Sequence, residues 1–259
     1  MKIMPGNHQH IGARSEQQDA FAFSDLSNAS FLAHGGALAV LADGMGGHAD
    51  GGEAAKIAVA EFIESYSRKG LDETIEEALK RAILDANEAV YSFSTEIGHI
   101  GDCGATLVAA VIHEGGVYWV YAGDSRLYMT DGQSLTPLTE DHTCGNDLDR
   151  AARRGRIDWE KALSYPRREA LISYVGNIEI PRIGRGSLLS SGEGLPPNGF
   201  TLLLCSDGLY KTLDEEAILA LYSRDPQEWS SALVERVLEE KRPFQDNVTV
   251  LCLALVSEG

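Results

Sequence analysis

The chain has 259 residues, 44% of them hydrophobic, and a formal net charge of −17. That much apolar material can build a full core and argues against disorder. The acid excess argues against nucleic acid and anionic membrane surfaces as partners, since both need clustered Lys and Arg; it is equally compatible with divalent cations and with a plain solvated surface.

In chain order, Asp19 to Ser24 and Ala37 to Ala42 read as strands, the second nearly all apolar, as a strand covered on both faces would be. Asp50 to Glu53 resembles a capping pattern. The helix that follows, about Gly52 to Tyr66, carries Ala55, Ala58, Val59, Phe62, Ile63 and Tyr66 on one face. A second helix spans Glu73 to about Phe93, with Ile75, Ala78, Leu79, Ala82, Ile83, Ala86, Val90 and Phe93 at spacings of three and four. Strands are expected over Ala105 to Ile112, Val117 to Ala122 and Arg126 to Thr130, with turns at Gly115-Gly116 and Asp131-Gly132. From Thr143 to about Gly184 the chain becomes polar and basic (Arg150, Arg153, Arg154, Arg156, Arg167, Arg168), and short helices in a surface excursion are expected. Phe200 to Cys205 reads as a strand, Thr212 to Glu215 as a capping box before a helix to about Ser223, and Asp225-Pro226 as the start of another helix. Asn247 to Leu255 is the last strand. The order fits two sheets with helices packed outside, an α+β fold, better than an alternating parallel sheet.

The four cysteines, Cys103, Cys144, Cys205 and Cys252, form no CxxC pair, and residues 1–12 have no apolar leader core. No apolar run approaches the roughly 20 residues of a membrane span. The expectation is a reduced cytoplasmic protein without zinc or disulfides.

Acidic motifs recur beside the apolar runs. Asp43-Gly44-Met45-Gly46-Gly47, Gly123-Asp124-Ser125-Arg126 and Ser206-Asp207-Gly208 each follow one, and Asp246-Asn247 precedes another. Each alone is equally a turn or a helix cap. Several strand-terminal aspartates in one domain are harder to dismiss, because buried carboxylates are costly unless a cation meets them. All the candidate ligands are oxygen donors, which suits Mg2+ or Mn2+ rather than Zn2+ or copper. A pair of such ions can acidify and orient a water and clamp an in-line displacement at phosphorus. Arg14 would supply the planar fork for a phosphate, and His48, five residues after Asp43, an acid for the leaving oxygen. Taken alone, that arginine reads as solvated and that histidine as structural.

Together these segments resemble the metal-dependent serine/threonine protein phosphatases of the PPM (type 2C) family, in the compact bacterial form. The matching text is Arg14-Ser-Glu-Gln-Gln-Asp19, Leu41-Ala-Asp-Gly-Met-Gly-Gly-His48, Gly104-Ala-Thr106, Val120 to Leu127, Leu138 to His142, Leu204-Cys-Ser-Asp-Gly-Leu209 and Asp246-Asn-Val-Thr-Val250. The resemblance implies a four-layer α-β-β-α sandwich of two mainly antiparallel sheets, as one domain over residues 1–259 with a flap at about 143–184. It implies two Mn2+ or Mg2+ ions bridged by Asp43, with Asp207 and Asp246 completing the first site and the Gly44 carbonyl joining the second. It places a third, weaker ion on Asp124 and Asp207. Arg14 would bind phosphate, His48 would be the general acid, and Asp19 and Gln18 would stand behind the ligands. A metal-bridging hydroxide would attack phosphoserine or phosphothreonine in a protein, reversing a kinase, with the chain acting as a monomer. Gln18 stands where many relatives carry Glu, which predicts weaker binding of the second ion. The basic flap reads as a solvated surface or as a dock for acidic or phosphorylated segments. The rival readings are a regulatory pseudophosphatase on the same fold and a small-molecule phosphomonoesterase.

Overall fold

A computed structural model describes residues 2–45, 50–189, 195–196 and 199–256. These form β1 (Lys2–His10), β2 (Asp19–Phe23), α1 (Ala29–Gly35), β3 (Ala37–Met45), α2 (Asp50–Ser67) and α3 (Ile75–Glu96). Then come β4 (Gly104–Ala105), β5 (Leu107–His113), β6 (Gly116–Ala122), β7 (Arg126–Thr130), β8 (Leu135–Pro137), α4 (Cys144–Arg153) and α5 (Trp159–Leu163). The chain continues with β9 (Gly184–Leu188), β10 (Gly199–Cys205), α6 (Asp207–Tyr210), α7 (Glu215–Ala220), α8 (Pro226–Glu239) and β11 (Val248–Val256).

Two antiparallel sheets result, ordered β1-β11-β10-β7-β8 and β2-β3-β5-β6-β9, with β4 attached to β3. The apolar runs explain how they stack. Side chains alternate across a strand. In β3, Ala37, Ala39 and Leu41 face the other sheet, while Leu38, Val40 and Ala42 face α2 and α3. In β11, Leu251, Leu253 and Leu255 enter the layer between the sheets, and Val248, Val250 and Cys252 meet α8. Both central strands are covered on both faces, so neither can carry polar alternation. Three apolar layers follow, giving the α-β-β-α sandwich expected from the sequence.

The helices form where their caps and apolar spacing dictate. Thr74 caps α3: its Oγ1 accepts from Glu77 N at 3.2 Å, while Glu77 Oε2 accepts from Thr74 N at 3.0 Å, a reciprocal box. Asp225 caps α8, with Pro226 in its first turn. The capping box expected at Thr212 is absent. Asp214 caps α7 instead, accepting from Ala217 N at 2.8 Å, because the Thr212 hydroxyl donates to Gln245 Oε1 at 2.9 Å. β1 carries no clear apolar pattern and contains Pro5, which is tolerated because the strand lies at a sheet edge.

Leu41 is fully buried between the sheets. Leu41→Ala is expected to lower stability by about 2–5 kcal/mol. Urea denaturation should show the midpoint falling with an unchanged slope.

Candidate active site

Antiparallel pairing sends particular strand ends to the same edge. In one sheet the register places Asp19 opposite Asp43 and Leu107 opposite Ala122, so β2 begins, β3 ends, β5 begins and β6 ends together. In the other, Cys205 lies opposite both Val250 and Arg126, and His10 opposite Val248. Asp207 and Asp246 therefore sit at that sheet's corresponding ends. Asp124 lies in the connection from β6 to β7, where the chain passes between the sheets.

Cross-sheet hydrogen bonds show that the two edges meet. Asp19 Oδ2, from one sheet, accepts from Ser206 Oγ at 2.8 Å and Thr249 Oγ1 at 2.7 Å, both from the other. Its Oδ1 is buried without a hydrogen-bond partner among the described residues. Asn247 ties the arginine segment down: its Nδ2 donates to Ile11 O and Glu16 O, and its Oδ1 accepts from Gln18 N at 2.7 Å. Arg14 Nη2 then reaches Asp246 Oδ2 at 2.6 Å, 232 residues away in sequence. Asp43 is fixed through Thr106, whose Oγ1 accepts from Asp43 N at 3.0 Å and whose N–H donates to Asp43 O at 2.8 Å. That interaction splits the single strand expected from Ala105 to Ile112 into β4 and β5.

Both glycines of the Asp-Gly pairs are required by close approach. A Cβ on Gly44 would lie 2.0 Å from Gly51 O, and one on Gly208 2.0 Å from Asn247 O. No flexible side chain is in the way, only backbone, so neither position can accept a larger residue without moving a strand or helix.

The electrostatics follow from this crowding. Asp43 is open to solvent at one side yet surrounded by protein. Burial, then Asp19, Asp207, Asp124 and Asp246, hold its carboxyl well above the usual carboxylate range. Burial pushes Asp19 up to about 7, against the hydrogen bonds from Thr249 and Ser206, with Asp207 and Asp246 adding repulsion. Burial and then Asp207 push Asp124 up to about 6. Two cations answer them: Arg14 on Asp246, and Lys211, whose Nζ is 2.7 Å from Asp207 Oδ2.

A divalent cation suits this set in donor chemistry and in charge. The donors are oxygens, their carboxylates repel one another, and one buried oxygen, Asp19 Oδ1, has no partner among the described residues. Among the described residues, however, no three Asp, Glu, His or Cys side chains lie close enough to hold one ion by themselves. An ion here would be held by one or two carboxylates with water completing its shell, the habit of Mg2+.

Each predicted site residue has a defined place except one. Asp43, Asp124, Asp207 and Asp246 converge with Asp19, and Arg14 stands over Asp246. Gly44 N donates to Gln18 O at 3.0 Å, which puts Gln18 directly behind the Asp-Gly turn. His48 lies outside the described residues. Sequence reasoning assigned no role to Lys211, Asn247, Ser206, Thr249 or Thr106. The available signals were a hydroxyl within the apolar run Val248 to Val256, an amide beside Asp246, and a lysine four residues after Asp207.

The flap's arginines divide into two groups. Arg150 pairs with Glu140, Arg168 with Asp149 and Arg182 with Asp147, which brace the excursion internally. Arg153, Arg154, Arg156 and Arg167 are exposed and form no salt bridge among the described residues.

A family model for protein phosphatase 2C matches residues 7–241. The chain belongs to that family. Membership makes it a serine/threonine protein phosphatase. It is 30% identical over 220 residues to the serine/threonine phosphatase stp of Listeria monocytogenes serotype 4b, covering 83% of this chain and 82% of that one. The crystal structure of the serine/threonine phosphatase Stp1 from Staphylococcus aureus matches with a TM-score of 0.79 and 26% identity, over 100% of this phosphatase and 96% of that chain. The catalytic domain of the phosphatase PstP, crystallised in complex with 2 manganese ions, matches with a TM-score of 0.74 and 27% identity, over 98% of this chain and 99% of that one. The two-sheet architecture flanked by helices is the one these phosphatases share. Among the described residues of this phosphatase, no helix is long and apolar enough to cross a membrane.

Asp19 and Asp124 hold protons more tightly folded than unfolded, where an aspartate titrates near 3.9. Their stabilising contribution is therefore complete below about pH 4 and is lost as pH rises through about 6 for Asp124 and about 7 for Asp19. In EDTA, the thermal midpoint followed by circular dichroism is expected to fall across that window. Asp124→Asn should remove its share of the fall between about pH 4 and pH 6; an identical profile in that variant would refute the assignment.

Proposed function

We propose that this phosphatase hydrolyses phosphoserine and phosphothreonine in proteins by direct displacement, with Asp43, Asp207 and Asp246 holding two divalent ions and Asp124 flanking them. The observation that carries the reading is the state of Asp43. Four other carboxylates press on it, and the cations nearby are committed to Asp246 and Asp207. Clustered carboxylates with raised proton affinity in a cleft mark a functional site more often than a structural one.

Bound Mn2+ or Mg2+ would supply the Lewis acidity that readies a water for attack at phosphorus. The remaining work falls to the chain's own groups. Asp43 and Asp207 come from opposite sheets, so the cross-sheet bonds to Asp19 fix the spacing between them. Gly44 and Gly208 let backbone approach that spacing closely. Gln18, an amide behind the Asp43 turn, leaves this side less negative than a glutamate would, which supports looser retention of the second ion. The Asp246 pair holds Arg14 ready at the mouth. Among the described residues its hydrogen bond uses Nη2 alone, so the rest of the fork can take phosphoryl oxygens. His48 would donate the proton to the leaving seryl or threonyl oxygen. The substrates are then phosphorylated proteins, and the partner reaction is that of a protein kinase.

Three outcomes are expected with a phosphothreonine peptide and manganese. Asp207→Asn should lower kcat by roughly 100-fold or more, and EDTA should abolish turnover. Arg14→Ala should lower kcat/KM by about 10- to 100-fold, the worth of one or two charge-assisted hydrogen bonds, mostly through KM. Turnover that survives both the chelator and Asp207→Asn would rule out the metal reading.

A further inference from the structure

Lys211, placed above only as a cation beside Asp207, has a side chain 42% exposed but a backbone fixed on both sides. Its N–H donates to Asp207 O at 2.9 Å, and Arg242 Nη1 donates to its carbonyl at 2.6 Å. Its side chain folds back one turn, so that Nζ lies 2.7 Å from Asp207 Oδ2 and 3.7 Å from Glu169 Oε2 of the flap. An aspartate–lysine pair four residues apart is ordinarily a weak surface contact. This one differs in its surroundings. Lys211 lines one cavity of about 290 Å3 at the edge of the candidate metal site with Asp124, Asp141 and Glu169, as do Arg126 and Arg168, which are paired with Asp141 and Asp149. Asp124 is buried, and the Asp207 side chain is 16% exposed.

We propose that Lys211 is the resident cation of the Asp124–Asp207 pair, its ammonium standing where a third divalent ion would otherwise bind. The proposal rests on the metal reading above. Its positive charge sits against Asp207, in a cavity that Asp124 lines beside it. A dication shared by Asp124 and Asp207 would have to break the Lys211–Asp207 contact and remain beside a like charge. The enzyme is thereby restricted to the two ions around Asp43. Glu169, 3.7 Å from the ammonium, faces this cation from the flap.

Isothermal titration of Mn2+ into the full chain tests the idea without reference to turnover. The wild-type protein and Lys211→Arg are expected to take up two ions per chain. Lys211→Met and Lys211→Gln are expected to gain a third, weaker one. Lys211→Met combined with Asp124→Asn should return to two. The glutamine variant keeps a polar side chain in the cavity, so poor folding of the methionine variant does not shield the proposal. Three ions on the wild-type protein, or only two on folded Lys211→Met or Lys211→Gln, would overturn it. Failure of every protein, wild type included, to bind manganese would instead overturn the metal reading and this inference with it.

Discussion

Mutual repulsion among carboxylates at one edge of the sandwich is the constraint around which the structure is arranged. Asp19, Asp43, Asp124, Asp207 and Asp246 belong to five separate chain segments, and each raises the cost of ionising its neighbours. No hydrophobic term favours that gathering. It persists because strand pairing leaves the chain no alternative. The register that buries Leu41 and Leu251 between the sheets also carries Asp43 and Asp246 to the same rim. Core stability is thus converted into electrostatic tension at a chosen edge, the usual relation between a rigid scaffold and a strained site.

The means of containing that tension are local. Hydroxyls from Ser206 and Thr249 converge on Asp19, and Thr106 Oγ1 lies 2.7 Å from Ser125 Oγ while holding the Asp43 backbone. Each of these polar side chains sits within or next to an otherwise apolar strand. They make the inner side of the rim polar within a buried setting, where charges are strongly coupled. Arg126 performs a similar task farther out. It grips Asp141 with both arms and stacks 3.6 Å from the centre of the Tyr210 ring, joining the start of the flap to the helix that carries Asp207.

Much of this was legible in the residues. Apolar runs of six or more ending in Asp-Gly gave the central strands and their chemical ends, and spacings of three and four gave both long helices of the first half. What escaped was structure whose cause lies elsewhere in the chain. β1 is a strand because β11 offers it an edge, not because Lys2 to His10 has a pattern of its own. The cap of α7 moved to Asp214 because Gln245, far along the chain, claims the Thr212 hydroxyl. α1, capped by Asn28, is too short to show a period. In the site, the acidic residues announced themselves through their motifs. Lys211 did not, because a lysine one turn after an aspartate has the same spelling whether it faces water or a cleft.

The bond between Arg14 and Asp246 joins residues near opposite ends of the described chain, and β1 can pair only with the last strand, β11. A polypeptide emerging from the ribosome would expose its arginine segment for almost the whole of synthesis before Asp246 arrived to meet it. Partial products of translation therefore cannot assemble the rim. The carboxylate rim is completed only once residue 246 has been made, and a chain truncated before it lacks both Asp246 and the β11 edge with which β1 pairs.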